Sequence, residues 1–186
     1  MHYKMKFKVY DDFISSTYQF VIKEFIESPE THWHYQPYMD DNNAGYSQFI
    51  HAVYDKEENV NDHLLHNLIC GLLSKIKDEL CQQAFHIRTR AILQTPIPNP
   101  PKHYNPHIDT SNNLGISFIY YTHDSTGDTY LIDENNNILD SVTPKQGRLI
   151  MFPSNQLHAG CPPTEGRRML LNINFLNTPN IKYNNG

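Results

Sequence analysis

The chain has 186 residues and a formal net charge of −5, a length that fits one domain able to bury a core. Its acidity and its lack of Lys/Arg runs argue against a phosphate-binding surface, so nucleic acid is not an expected partner. The three cysteines indicate neither a disulfide framework nor a thiolate zinc site, and the first residues contain no continuous apolar segment for a signal peptide or membrane span. We therefore expect a cytoplasmic protein without a membrane partner.

The amino-terminal part predicts a strand followed by a helix. Residues 1–10 alternate between polar and apolar side chains, as strands do, and residues 11–12 and 15–16 offer aspartate and serine N-caps. Apolar side chains at helical spacing then form a stripe that ends before Pro29. The stripe consists of Tyr18, Val21, Ile22, Phe25 and Ile26.

A second helix is predicted after residues 61–62, because one face stays apolar over several turns. That face consists of Leu64, Leu65, Leu68, Ile69, Leu72, Leu73, Ile76 and Leu80. Between the two helices, residues 32–59 predict a loop with one strand, SQFIHAVYD.

The carboxy-terminal half predicts short strands without helices between them. The segments are FHIRTRAIL, GISFIYYTH, DTYLID, ILDSV, RLIMF and RMLLNINF. Helices first and strands last predict an α+β fold, a double-stranded β-helix (jelly-roll) core with N-terminal helices packed on one sheet. We expect a single domain over 1–186, with 1–90 as N-terminal strand and buttressing helices, 91–178 as the core and 179–186 as a flexible tail.

Three residues are candidate metal ligands. His107 and Asp109, in the tripeptide HID, are two residues apart and point the same way on an extended chain. His158 follows an apolar strand and a turn, where a second strand would run back toward the first. Two imidazoles and one carboxylate form the facial triad that suits Fe(II), although zinc with a bound water can use the same ligands.

An arginine at the start of the last strand favours iron. A buried guanidinium there can bind a carboxylate bidentately, which an Fe(II) enzyme that uses 2-oxoglutarate needs and a zinc hydrolase does not. If Arg168 points into the barrel, Asn172 and Asn174 share its face and the alternating apolar residues face the helices. The opposite choice would place both amides in the apolar layer, at a cost. We therefore assign Arg168 to the site and Arg167 to a surface or substrate contact.

The order of these segments resembles the prolyl-4-hydroxylase-like 2-oxoglutarate/Fe(II)-dependent dioxygenases. The resemblance covers roughly Ile92–Phe175 and runs through HID, FIYYTH, GDTYL, PKQGRLIMFPSNQLHAG and GRRMLLNINF. It implies a dioxygenase that uses Fe(II), 2-oxoglutarate and O₂, with ascorbate as a candidate reductant, and that hydroxylates a C–H bond with release of succinate and CO₂. The substrate that it implies first is a peptidyl residue such as proline, followed by a free amino acid or another small molecule.

The resemblance also implies roles for the candidate residues. His107, Asp109 and His158 would bind Fe(II), with no catalytic residue beyond these ligands. Arg168 would bind the far carboxylate of 2-oxoglutarate, assisted by the hydroxyl of Tyr121, which strand alternation places on the cavity face. Core packing is the alternative role of Tyr121.

Two other classes of function stay open at this point. A non-catalytic jelly-roll binding module would keep the strands but lose one of the metal or co-substrate residues, whereas a cupin-like isomerase or hydrolase with zinc or manganese would use the triad without Arg168. The irregular segments HWHYQPYMDDNNAGY and TPIPNPPKHY are candidates for the substrate rim. Arg88 and Arg90 lie on a predicted strand, where solvation at the sheet face is expected rather than a place in the cavity.

Overall fold

The computed structural model describes residues 7–37, 47–57, 59–60 and 62–178. The predicted tail, 179–186, lies outside the described residues, as does the part of the predicted rim between residues 38 and 46. The elements are β1 (Lys8–Tyr10), α1 (Ser16–Glu27), β2 (His34–Gln36), β3 (Gln48–Asp55), β4 (Asn59–Val60), α2 (His63–Leu80), β5 (Ala84–Gln94), β6 (Gly115–Tyr121), β7 (Thr129–Ile132), β8 (Ile138–Val142), β9 (Leu149–Pro153), β10 (His158–Gly160) and β11 (Arg168–Asn177).

Two antiparallel sheets make up the β-core. The larger sheet has the order β1-β9-β6-β11-β5-β3-β2, with β4 paired to β3, and the smaller has the order β10-β7-β8. This is the predicted α+β fold with a double-stranded β-helix core. The region between the predicted helices contributes more than one strand, because β2 and β3 both extend the larger sheet beyond β5.

Helix α1 begins and ends where the sequence predicts, but its buried face differs from the predicted stripe. The Ser15 side chain caps the helix by accepting from the backbone N–H of Tyr18, and Pro29 follows the C-cap. Val21 is 41% exposed, whereas Gln19 is buried. The Gln19 amide donates to the carbonyl of Ile14 and lies over Gly147, where even a Cβ would come within 2.4 Å of it.

Helix α2 provides most of the apolar layer between the helices and the larger sheet. Asp62 caps it by accepting from the backbone N–H groups of Leu64 and Leu65. Its fully packed face consists of Leu65, Ile69, Leu72, Leu73 and Ile76. Leu64, in the first turn, is exposed, so the predicted stripe begins one residue later. Each buried aliphatic side chain contributes about 1.5–3 kcal/mol of transfer free energy. Among the described residues, no helix combines the length and apolarity that crossing a membrane requires.

Strand β11 separates two apolar layers, and its alternation follows the predicted division. Met169, Leu171, Ile173 and Phe175 belong to the helix-facing layer, while Leu170 packs between the two sheets. Strand β6 divides in the same way: Phe118 and Tyr120 face the helices, and Ile119 and Tyr121 face the smaller sheet. The space between the two sheets is therefore the place to which the other face of β11 brings its polar side chains.

Candidate active site

The structure brings the three predicted metal ligands together between the two sheets. The backbones of His107 and His158 form an antiparallel bridge, with both N–H···O distances at 3.0 Å. Opposed residues of such a bridge point to the same side, so the two imidazole centroids lie 4.4 Å apart. Asp109, two residues after His107, points the same way, and one potential ligand atom from each residue lies within 4.8 Å of the other two.

Each imidazole presents the nitrogen that a metal needs. Nδ1 of His158 lies 3.0 Å from the carbonyl oxygen of Gln156, and Nδ1 of His107 lies 3.3 Å from that of Asn105. A carbonyl only accepts, so Nδ1 carries the proton and Nε2 keeps its lone pair for a ligand. Burial lowers the pKa of His158 to about 4, and the ring is therefore neutral at neutral pH.

The Asp109 carboxylate is held in place by four side chains. Its side chain is 5% exposed. It accepts from the hydroxyl of Ser117 and from the amides of Asn172, at 3.3 Å, and Asn174, at 3.1 Å, while Nη2 of Arg88 lies 3.5 Å away. Burial favours the neutral acid, but His158 and the Ser117 hydrogen bond outweigh burial and hold the pKa of Asp109 below its usual value. Asp109 is thus ionised at neutral pH, as a metal ligand must be.

Arg88 lies beside the Asp109 carboxylate, whereas the sequence predicted that it would be solvated at the face of the sheet. Its Nε donates to Oδ1 of Asn174 at 2.9 Å, and its side chain is 23% exposed. Arg88 and Asn174 are opposed across β5 and β11, which brings the guanidinium to Asp109, the predicted metal ligand. The contact depends on the path of the loop that carries Asp109, and the sequence gives no signal for it.

Arg168 lines a small cavity to which His107 and His158 also contribute. This cavity, the anchor cavity, has a volume of about 90 Å³ and is lined by His107, His158, Thr129, Ile119, Leu170 and Arg168, among others. The guanidinium is buried, with hydrogen bonds from Nε to the carbonyl of Gly127 (2.7 Å), from Nη1 to Oε1 of Gln94 (2.8 Å) and from Nη2 to Oγ1 of Thr129 (2.6 Å). Gln94 and Thr129 are partners that sequence reasoning missed, because a lone glutamine or threonine in a strand carries no motif.

The guanidinium is suited to a carboxylate. Arginine has five N–H donors in a planar fork that matches a carboxylate, and three of them bond to Gly127, Gln94 and Thr129, while Tyr121 is a further hydrogen-bond partner of the guanidinium. Burial lowers the pKa of Arg168, yet arginine stays charged in proteins, and the part of the chain that the structure describes offers it no carboxylate within ion-pair distance. A Cβ on Gly160 would lie 3.2 Å from Nη1, so the glycine keeps this end open.

The other predicted residues also have defined places. The Tyr121 hydroxyl is hydrogen bonded to Oγ1 of Thr129 at 2.6 Å, and its ring centroid lies 5.8 Å from Cζ of Arg168. Burial raises the pKa of Tyr121, so its hydroxyl keeps its proton. Arg167 points away from the cavity: its side chain is 52% exposed and pairs with Glu27 at the end of α1. The strand geometry thus agrees with the parity argument for Arg168, while the binding roles of these residues remain predictions.

A chain of amides connects Arg168 to the edge of the larger sheet. Gln94 accepts from Arg168 and donates to Oε1 of Gln48 at 3.1 Å, and Gln48 in turn donates to Oε1 of Gln36 at 2.9 Å. The four residues lie on β11, β5, β3 and β2, which are neighbours in the sheet. Every link has the same donor-to-acceptor direction, so each amide oxygen is oriented toward the cationic end of the chain.

The triad and the buried arginine fit the cofactor set that the sequence suggests. Two imidazoles and one carboxylate are typical Fe(II) ligands. A buried, unneutralised guanidinium at the other end of the same cavity fits the far carboxylate of 2-oxoglutarate.

Comparison with solved structures gives the same fold at low sequence identity. A 2OG-Fe(II) oxygenase family oxidoreductase from Burkholderia pseudomallei has a TM-score of 0.70 and 9% identity, over 91% of this chain and 84% of the other. A Trichoplax adhaerens prolyl hydroxylase, in complex with a hypoxia inducible factor oxygen degradation domain peptide fragment, has a TM-score of 0.58 and 14% identity, over 92% and 83%. HygX from Streptomyces hygroscopicus, with nickel, 2-oxoglutarate and hygromycin B bound, has a TM-score of 0.59 and 12% identity, over 92% and 83%.

Sequence comparison finds one family that matches part of the chain. No curated protein sequence matches the chain. Residues 94–176, which include the triad, Tyr121 and Arg168, match the family described as the 2OG-Fe(II) oxygenase superfamily. Residues 94–176 of the chain are therefore similar to the 2OG-Fe(II) oxygenase superfamily, whose enzymes use Fe(II), 2-oxoglutarate and O₂.

Proposed function

We propose that the chain is a dioxygenase that hydroxylates a C–H bond of a peptidyl residue such as proline. The observation that carries the dioxygenase part is the anchor cavity, which is lined by two members of the triad, His107 and His158, and by the buried guanidinium of Arg168. A cupin-like isomerase or hydrolase has no need of a buried arginine there, and a non-catalytic binding module has no need of the triad. The peptidyl substrate is supported by the Trichoplax prolyl hydroxylase with its bound peptide fragment, although HygX, of the same fold, has hygromycin B bound.

The residues of this chain would bind and orient the reactants. His107, Asp109 and His158 would hold Fe(II), which when bound supplies the oxidative decarboxylation of 2-oxoglutarate by O₂ and the oxidation of the substrate. Arg168 would fix the far carboxylate of 2-oxoglutarate, since its own position is set by three hydrogen bonds. Ser117 and Asn174 keep the Asp109 carboxylate in one orientation.

An anaerobic titration tests the dioxygenase part. Purified metal-free protein is titrated with Fe(II) and then with 2-oxoglutarate, and the visible charge-transfer band of a chelated Fe(II)–oxoacid complex is recorded. We expect the band in the wild type and not in His158→Ala. If iron binds and no band forms, the role of Arg168 is wrong. The peptidyl part is tested with proline-containing peptides in air, where mass spectrometry should detect the gain of one oxygen atom together with succinate.

A further inference from the structure

A second cavity meets the metal triad on a different side from Arg168. This cavity, the arginine cavity, has a volume of about 190 Å³ and is lined by Arg88, Arg90, His107, Asp109, Asn172 and Gln36, among others. It shares Gln48, Ile92, His107 and Asn172 with the anchor cavity, but Arg168 is not among its lining residues. A molecule in the arginine cavity therefore lies beside the metal ligands without competing for the 2-oxoglutarate anchor.

Two guanidinium groups face this cavity. Arg88 and Arg90 are two residues apart on β5 and so point to the same face, opposite Asn174 and Asn172 of β11. Arg88 is committed in part, to Asn174 and Asp109. Within residues 7–37, 47–57 and 62–178, Arg90 has no ion pair. Arg90 is thus the cation of this pair that is free to meet a ligand.

The charges of the loaded centre leave Arg90 without a partner. The two charges of Fe(II) and the one of Arg168 would be matched by the two carboxylates of 2-oxoglutarate and by Asp109. Arg88 keeps Asp55, which is opposed to it across β3 and β5 and favours its charged form. The half-buried guanidinium of Arg90 then remains as excess positive charge, which an anionic group can relieve.

A buried amide oxygen in the same wall lacks a donor. Oδ1 of Asn172 is buried and has no hydrogen-bond partner among the described residues, while Nδ2 of the same side chain donates to Asp109. Buried acceptors are nearly always satisfied, so an unsatisfied one in a cavity wall marks a place for a ligand N–H or O–H group. Asn172 lies opposite Arg90, which brings this acceptor and the free cation to the same part of the cavity.

We propose that the arginine cavity binds a carboxylate of the substrate together with a neighbouring N–H group. Arg90 pairs with the carboxylate, Arg88 adds positive charge beside it, and Asn172 accepts from the N–H. The hydroxylated residue accordingly lies next to an acidic group. This inference rests on the proposed function, because it takes the loaded metal centre as the neighbour of the cavity.

Two small isosteric compounds test the carboxylate site directly. N-acetylglycine has a carboxylate beside an amide N–H, and N-acetylglycinamide is its neutral counterpart. Both are titrated calorimetrically into anaerobic protein that holds Fe(II) and 2-oxoglutarate, so that Arg168 is already occupied. We expect N-acetylglycine to bind at least about tenfold more tightly, since a charge-assisted pair replaces a neutral contact.

Two arginine variants test whether the preference for N-acetylglycine over N-acetylglycinamide depends on Arg90. Arg90→Gln should remove it while leaving the 2-oxoglutarate dependence of the visible band unchanged, which also shows that the variant folds. Arg167→Gln removes the same net charge at an exposed position paired with Glu27, and should keep the preference. Equal binding of the two compounds, no detectable binding of either, or a preference that survives in Arg90→Gln would overturn the proposal. Absence of the band in the wild type would instead contradict the proposed function, and the calorimetric comparison still decides on the cavity.

The source of the carboxylate is distinguished by two further compounds. Acetyl-prolyl-aspartyl-amide presents it on a peptide side chain, and free L-proline presents it as the α-carboxylate of an amino acid. The compound that binds more tightly in the wild type, and loses affinity in Arg90→Gln, identifies the source.

Discussion

Replacing Arg168 by lysine removes the fork of donors and keeps the charge. The arginine donates to Gly127, Gln94 and Thr129 from three different nitrogens, whereas a lysine has one nitrogen and cannot reach all these acceptors. At least one buried acceptor then loses its donor, and the carboxylate of 2-oxoglutarate meets a point charge. A loss of about 1–3 kcal/mol follows for such a change, equivalent to about five- to 150-fold weaker binding of 2-oxoglutarate.

The visible Fe(II)–oxoacid band measures this affinity under anaerobic conditions. Arg167→Lys is the matched control, because that side chain is 52% exposed and its pairing with Glu27 lies outside the anchor cavity. We expect it to change the affinity by about twofold or less. If Arg167→Lys weakens 2-oxoglutarate binding and Arg168→Lys does not, the assignment of the anchor from strand alternation is refuted.

Three further predictions concern the ligands, the opening beside the anchor and the pH dependence of stability. His107→Ala and Asp109→Ala should each abolish succinate production from 2-oxoglutarate, and a variant with full production would show that the residue is not a ligand. Gly160→Ala places a Cβ 3.2 Å from Nη1 of Arg168, so a several-fold weaker binding of 2-oxoglutarate is expected with an unchanged thermal unfolding midpoint; unaltered binding would mean that a ligand does not enter there. Burial lowers the pKa of His86 to about 4, below its value of about 6.5 in an unfolded chain, so the folded state binds fewer protons in this window and stability falls as the pH falls through it. His86→Gln should reduce that fall by up to about 3 kcal/mol in urea denaturation at a series of pH values, and an identical pH dependence would contradict the effect of burial.

Much of the fold was predictable because local signals and long-range packing agree. Ser15 and Asp62 cap the helices as their residue types predict, and β11 divides its side chains between two layers as period-two alternation requires. The exception in α1 is instructive. Val21 is exposed, and Gln19 is buried because a glycine in the left-handed region, Gly147 with φ +80°, leaves room for its amide. Neither the turn nor its distance from α1 can be read from the helix itself.

The residues of the candidate site could likewise be predicted only in part from the sequence. Four residues, His107, Asp109, His158 and Arg168, carry a recognisable order of residue types, and strand parity predicted that Arg168 rather than Arg167 faces inward. The side chains that hold these four in place come from strands distant in sequence, at positions set by sheet order and register. A glutamine or an arginine on β5 cannot be assigned to the site from the sequence until β5 is known to lie beside β11.

The amide chain from Arg168 through Gln94 and Gln48 to Gln36 has a consequence for strand register. Side chains alternate between faces, so a slip of one residue between any two of these strands would turn a glutamine into the helix-facing apolar layer and leave its neighbour unpaired. The chain penalises misaligned pairing across four strands at once. Correct alignment of β2 and β3, which precede α2, is in this way linked to the shape of the anchor cavity. The amide chain thus favours the correct strand register in that half of the sheet.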